Sequence, residues 1–182
     1  VKLYLEAIED GIMQLDAKMI CLLTKELSRL IEITEKIMKY EQFSSNTFQD
    51  IRVERFEYAK VAYEIIEEYQ IQLEKTGQKV VCEFAENTLT RMDKNMCVQI
   101  LHNIFSNFIK YAGNSTTLTC SYKKSHDGYY ILTFGDNGKG IDEKERAYVK
   151  EKFYRLDKGR TQKDGSMGIG LSIIDQIAKL HK

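Results

Sequence analysis

The chain has 182 residues, 43% hydrophobic and 30% charged, with 27 basic side chains balanced by 27 acidic ones. That is globular composition, long enough for one domain and a smaller appendage, and the balanced charge argues against a dedicated nucleic-acid binder. No apolar run reaches the about 20 residues a bilayer demands, and no charged-then-apolar leader opens the chain. Cys21, Cys82, Cys97 and Cys120 form no C-x-x-C pair, so they read as reduced packing residues in a cytosolic setting. Proline is absent, where average usage predicts about nine. With Val1 already inside an apparent helix, an excised piece of a longer polypeptide is expected.

Residues 1–43 carry helix formers and no sustained strand-like alternation. Leu23, Leu27, Leu30, Ile31, Ile37 and Met38 recur at helical spacing, with Thr34 the polar member of their stripe. Val1, Leu5, Ile8 and Ile12 form a shorter stripe, and Asp10-Gly11 and Asp16 mark the break between the two. A helical hairpin over 1–43 is the expectation. Ser44 to Thr47 is a polar turn cluster, giving a linker over 44–50 and a domain over 51–182.

Within that domain, Ile51 to Phe56 predicts a short strand, Tyr58 to about Lys75 an amphipathic helix, and Lys79 to Phe84 a second strand. Asp93 to Ala112 predicts a helix with Val98, Leu101, Phe105, Phe108 and Ala112 on one face. Thr117–Tyr122 and Tyr129–Phe134 read as strands joined by the turn Ser125-His126-Asp127-Gly128. A polar, glycine-bearing stretch over 136–167 holds one short helix near Lys144 to Lys150, and a last helix starts near Gly168.

Three segments carry chemistry. Asn103 and Asn107 are four apart and share a helix face with Lys110 and Tyr111. Carboxamide oxygens are hard ligands suited to Mg²⁺, and a lysine is a point charge for phosphate, although a solvated helix face accounts for any one of these residues alone equally well. Asp136-Asn137-Gly138-Lys139-Gly140-Ile141 places an acceptor for an exocyclic amine beside two glycines that let backbone approach a flat ligand. Alone, it is more simply a turn. Gly165-Ser166-Met167-Gly168-Ile169-Gly170-Leu171 opens a helix whose N–H groups attract phosphate, or serves as a hinge. Between the two glycine clusters, Glu151 to Arg160 is aromatic and basic, as a nucleotide lid would be, and equally as a charged surface loop would be.

Taken in order, these segments resemble the catalytic ATP-binding domain of sensor histidine kinases, within the Bergerat-type ATPase superfamily that includes gyrase. Leu101 to Tyr111 is similar to the N box, Asp136 to Ile141 to the G1 box, Phe153-Tyr154-Arg155 to the F box, and Gly165 to Leu171 to the G2 box. Tyr4 to Ile12 and Glu26 to Ile31 resemble parts of the two dimerisation helices. The resemblance implies an α+β fold, a two-layer Bergerat sandwich of mixed sheet covered by helices, preceded by the hairpin and without its closing strands.

It also implies ATP and Mg²⁺ as cofactors. Asp136 would bind the adenine amine, with Gly138, Gly140 and Ile141 shaping that wall, and Asn107 would hold the metal with Asn103 assisting. Lys110 and Tyr111 would contact nucleotide. Arg155 and Arg160 would face the phosphates, and Gly168, Ile169, Gly170 and Leu171 would close the phosphate side. The implied activity is transfer of the γ-phosphoryl group to a histidine upstream of Val1. The implied partners are a response-regulator receiver domain and a second copy through the hairpin, in a cytoplasmic portion whose parent is free to be membrane-anchored.

The sequence departs from the family pattern at several points. The histidines are His102, His126 and His181, none in the amino-terminal hairpin, and each reads as structural or incidental. Ser166 stands where the G2 box often has glycine, and Phe108 where the N box has a small residue. Hydrolytic members of the superfamily place a glutamate base where this chain has Asn103, which favours transfer. A non-catalytic ATP-binding dimerisation module is the other alternative.

Overall fold

The computed structural model describes residue 11 and residues 16–44, 51–84, 87–155 and 168–181, with side chains in the first helix described through Ile31 and at Ile33 and Thr34. The predicted stripe Val1 to Ile12, the linker residues 45–50, and Leu156 to Met167 lie outside these, as do the side chains of Ile37 and Met38.

Helix α1 spans Ala17–Ser44. Asp16, the predicted break, accepts from the Met19 N–H at 2.7 Å, satisfying one of the donors a helix start leaves open. Gly11 takes the left-handed φ of +69°. Leu27, Leu30 and Ile31 are 49%, 49% and 59% exposed, so the apolar stripe of α1 is not covered by the described chain, although α1 does touch the last helix.

The domain that follows contains β1 (Val53–Glu57), α2 (Tyr58–Glu68), α3 (Gln70–Thr76), β2 (Lys79–Phe84), β3 (Leu89–Asp93), α4 (Lys94–Tyr111), β4 (Thr117–Lys124), β5 (Tyr130–Asp136), α5 (Glu143–Arg146) and α6 (Gly170–Leu180). Strands β1 and β3 pair antiparallel, with Arg55 opposite Arg91. The second sheet runs β2-β4-β5. Its β2–β4 pair is parallel, Cys82 facing Cys120, and its β4–β5 pair antiparallel, Cys120 facing Phe134. The sheet is therefore mixed, as the resemblance implied.

Alternation along each strand decides which face is buried. Leu118, Cys120 and Tyr122 of β4 point into the core with Val80, Cys82 and Phe84 of β2 and Tyr130, Leu132 and Phe134 of β5. Helices α2, α4 and α6 cover that face with Val61 and Ile65, with Leu101, Phe105 and Phe108, and with Ile173 and Ile177. Phe105 and Ile177 are fully buried, each stabilising the fold by about 1.5–3 kcal/mol relative to exposure. Cys97 and Cys120 pack as expected, and burial pushes the Cys97 thiol up to about 12. Cys21 is exposed and does not pack.

Two elements differ from the sequence reading. The single helix expected from Tyr58 to Lys75 is two helices broken at Tyr69, whose N–H returns to the Ile66 carbonyl at 3.1 Å. The Tyr69 ring stacks on Phe105, and its hydroxyl meets His102 Nδ1 at 3.1 Å, so tertiary packing decides the break. Strand β3 was not predicted. Its inward residues include Thr90 while Leu89 faces out, which inverts the apolar alternation that marks a strand. Thr88, just before β3, accepts from the N–H groups of Tyr58 and Ala59 through its carbonyl and Oγ1 at 3.0 and 3.2 Å, capping α2 from a distant segment.

Helix α4 is fixed at both ends. Asp93 caps it through Met96 N–H at 3.1 Å and also accepts from Arg52 N–H at 3.0 Å. The Asp93 N–H donates to His181 Nε2 at 3.1 Å, while His181 Nδ1 donates to the Ile177 carbonyl at 2.9 Å. At the other end, buried Gln78 donates through Nε2 to the carbonyls of Phe108 (3.2 Å) and Gly113 (2.9 Å) and accepts from Thr76 Oγ1 at 2.7 Å. Replacing Gln78 by Leu removes these hydrogen bonds while their partners keep others, at a cost of about 0.5–1.5 kcal/mol for a typical net bond. Urea unfolding of Gln78→Leu is expected to show that loss with an unchanged m-value; wild-type stability would dismiss the clamp.

Candidate functional site

The site assembles where three backbone segments meet the exposed face of α4. Asn103 and Asn107 sit half-buried one turn apart on that helix. Asn103 Nδ2 donates to the Gln99 carbonyl at 2.9 Å, which leaves its oxygen for the opposite direction. That direction is the start of α6. A Cβ placed on Gly170 would lie 3.1 Å from Asn103 Oδ1 and 3.5 Å from Asn107 Nδ2. The absence of a side chain at residue 170 thus lets the start of α6 approach both carboxamides closely, and brings the second glycine cluster onto the asparagine helix.

The first glycine cluster closes on the far end of the same helix. The Gly138 N–H donates to Asp136 Oδ1 at 2.9 Å, a local turn that orients the carboxylate. A Cβ on Gly138 would stand 2.5 Å from the Ala112 carbonyl oxygen and 2.9 Å from its Cα, so only glycine allows this approach. Asn137 splices the turn onto β4, donating its N–H to the Thr117 carbonyl at 3.2 Å and accepting from Thr117 N–H at 2.7 Å. Gly140 follows at φ +70°, and Ile141 is part-exposed, with its carbonyl accepting from Arg146 Nε at 3.2 Å. Lys110 and Tyr111 are exposed on the last turn of α4, directly before Ala112.

The aromatic segment joins through Gly168. Phe153, at φ +64°, donates its N–H to the Gly168 carbonyl at 3.1 Å, and a side chain at Gly168 would collide with the Tyr154 carbonyl. The Tyr154 hydroxyl donates to Glu145 while its ring stacks on Tyr148. Arg155 is half-buried immediately after. Ile169 is buried and Leu171 half-buried, anchoring the turn from below. Arg160, together with Gly165 to Met167, lies outside the described residues.

The predicted residues divide into two ends of one surface. Asn103, Asn107 and Gly170 form one; Asp136, Gly138 and the end of α4 form the other. Gln78, Asn137 and Asp93 are positioning residues that the sequence reading did not single out. For Asp93 the helix-cap pattern was a usable signal. For Gln78 none existed, because its partners lie 30 and 35 residues away.

The donor set fits a magnesium–nucleotide better than a protein-held metal. Among the described residues no three His, Cys, Asp or Glu side chains come together to hold an ion. The carboxamide oxygens of Asn103 and Asn107 are hard donors of the kind a cation takes when most of its ligands are phosphate oxygens and water. His102 lies on another side of α4, engaged with Tyr69 and 3.8 Å from Glu68, and His181 is held at the cap of α4, so both have structural roles.

Comparison with known proteins places the chain in a family and a fold. Residues 92–182 match the family model described as histidine kinase-, DNA gyrase B-, and HSP90-like ATPase. The sensor histidine kinase WalK of Bacillus subtilis (strain 168) is 28% identical over 98% of this chain and 30% of its own length. The Acinetobacter baumannii histidine kinase AdeS superposes with a TM-score of 0.73 at 19% identity, over 95% of this chain and 78% of that one. Histidine kinase ThkA, solved in complex with the response regulator protein TrrA, superposes with a TM-score of 0.62 at 18% identity, over 84% of this chain and 45% of that one. The chain spans about a third of the length of the curated relatives it matches. With the matched region covering half of the chain, from the end of β3 to the last helix, the chain belongs to the histidine kinase-, DNA gyrase B- and HSP90-like ATPase family.

Proposed function

We propose that this chain binds Mg-ATP and, within its whole protein, delivers the γ-phosphoryl group to a histidine other than His102, His126 and His181. The observation that carries the proposal is the pair Asn103 and Asn107 facing side-chain-free Gly170 along the carboxy-terminal half of α4, with an oriented Asp136 beside the end of that helix. Asp136 accepts the adenine amine. Asn107 offers its carboxamide oxygen to the metal, Asn103 supports it, and Lys110, Tyr111 and Arg155 face the nucleotide. Magnesium, when bound, supplies neutralisation of phosphate charge; the protein supplies position and orientation, the main contributions to phosphoryl transfer.

Hydrolysis is disfavoured by Asn103. A carboxamide cannot take a proton from water, and its Nδ2 is already engaged with Gln99. The uncovered apolar stripe of α1, with Leu27, Leu30 and Ile31 exposed, supports pairing with a second copy through that helix. A receiver domain is the proposed downstream acceptor, as the solved ThkA–TrrA complex illustrates for a structural neighbour. No helix among the described residues is long and apolar enough to cross a membrane, in keeping with a cytoplasmic location for this part.

Two measurements test the reading. Calorimetry with Mg-ATP is expected to give binding that weakens about tenfold or more, roughly 1.4 kcal/mol, in Asp136→Asn; equal affinities would remove Asp136 from the adenine wall. Gly170→Ala, whose Cβ would stand 3.1 Å from Asn103 Oδ1, is expected to lower ATP affinity by pressing on that carboxamide while the far-ultraviolet spectrum of the folded chain is kept. Unchanged affinity in that variant would move the phosphates elsewhere.

A further inference from the structure

At the end of the molecule remote from the glycine loops, the two sheets meet. The Tyr122 hydroxyl of β4 donates to the Leu89 carbonyl of β3 at 3.1 Å, and beside this junction lies a cleft of about 390 Å³ lined by Arg55, Asn87, Arg91, Lys124 and Tyr130, with Tyr122 and Thr90 below. Tyr130 begins β5 and Asp136 ends it, a separation of about 20 Å at a strand's rise per residue. The cleft is therefore distinct from the nucleotide surface.

Its charge is one-sided. Arg55 and Arg91 are direct cross-strand partners in the β1–β3 pair, an arrangement that is destabilising for like charges unless something sits between them. Lys124 adds a third cation, its Nζ 5.8 Å from the centre of the Tyr130 ring. Among the described residues no carboxylate lines the cleft, and none of the three cations is in an ion pair. Glu57, on the same face of β1 two residues from Arg55, is not part of the lining, and Glu86 lies outside the described residues. Two guanidinium forks are the preferred protein geometry for gripping phosphate or carboxylate in pairs of hydrogen bonds, and the volume is that of a small-molecule site.

We propose that this cleft is a second ligand site, which takes a small multivalent anion, a phosphate ester or a polycarboxylate, between the cross-strand Arg55–Arg91 pair and Lys124. The tyrosine and asparagine side chains supply neutral hydrogen-bonding groups around it. Strand β3 runs directly into Asp93, the cap of α4, so occupancy binds the folded state and stabilises it.

The test is an amide NMR titration of the chain with inorganic pyrophosphate and, separately, citrate, at low salt so that screening does not mask the charges. The expected result is submillimolar binding of at least one probe, with shifts at residues 89–91 and 122–124. The double variant Arg55→Gln/Arg91→Gln should weaken it about tenfold or more, and Asp136→Asn should leave it intact. Lys124→Gln serves as the second variant if the double one loses its dispersed spectrum. Binding of pyrophosphate alone assigns a phosphate ester, and of citrate alone a polycarboxylate. Shifts confined to residues 103–111 and 168–172, undiminished binding in the variants, or no binding of either probe would overturn the proposal.

Discussion

A helix leaves donors open at its start and acceptors open at its end, and in α4 the groups that meet them, Asp93 and Gln78, also tie each end to segments far away in sequence. Asp93 gathers Arg52, Met96 and His181 at one end, and Gln78 gathers Phe108, Gly113 and Thr76 at the other. The helix is consequently fixed along its axis as well as by its buried face of Leu101, Phe105 and Phe108. Asn103 and Asn107 inherit that fixed position, since they ride on the opposite side. Moving α4 by part of a turn would break buried hydrogen bonds at both ends, each of which costs more to leave unmade than it gains when formed.

Given a fixed α4, the rest of the site is a matter of how closely backbone can approach it. Gly138 lies against the Ala112 backbone and Gly170 over the two carboxamides, and at both places a Cβ would intrude. Gly168 acts in a related way, because its carbonyl accepts from Phe153 and the space its missing side chain leaves is filled by the Tyr154 carbonyl. The glycines thus make close contacts possible between segments that lie far apart along the chain. Their cost is entropic, since glycine loses the most backbone freedom on folding, and the dense core beneath offsets it.

This division explains what could be read from the sequence. The strands β2, β4 and β5 and the helix α4 announce themselves through periodicity, because their burial is one-faced and their inward residues apolar. Strand β3 does not, since Thr90 points inward and Leu89 outward. The break at Tyr69 is equally silent, being set by Phe105 and His102 across the core. The candidate site residues stand out as motifs, whereas the residues that position them do not. Nothing near Gln78 or Thr88 in sequence signals that one clamps α4 and the other caps α2, because both act on groups that only folding brings near.

The openness of the nucleotide surface bears on how it would work. Asp136 and Lys110 are exposed or half-buried and Arg155 half-buried, so their charges act close to water. There, a unit pair 4 Å apart is worth only about 1 kcal/mol, against about 4 kcal/mol at the lower effective dielectric of a covered site. On the proposed reading, the same residues therefore bind nucleotide modestly when uncovered and stabilise transferring phosphate more strongly once water is excluded. The aromatic segment 153–155 is placed to matter for that change. It is tied to Gly168 at its base by Phe153, braced by the Tyr154 hydroxyl on Glu145, and carries Phe153 outward at 56% exposure. On that reading, an apolar ring held beside Gly168 by a backbone hydrogen bond reduces local hydration without contacting the reacting atoms. On the proposed reading, the charge that neutralises phosphate and the ring that removes water come from neighbouring residues of one pinned segment, so that a site without a general base relies on position and electrostatics.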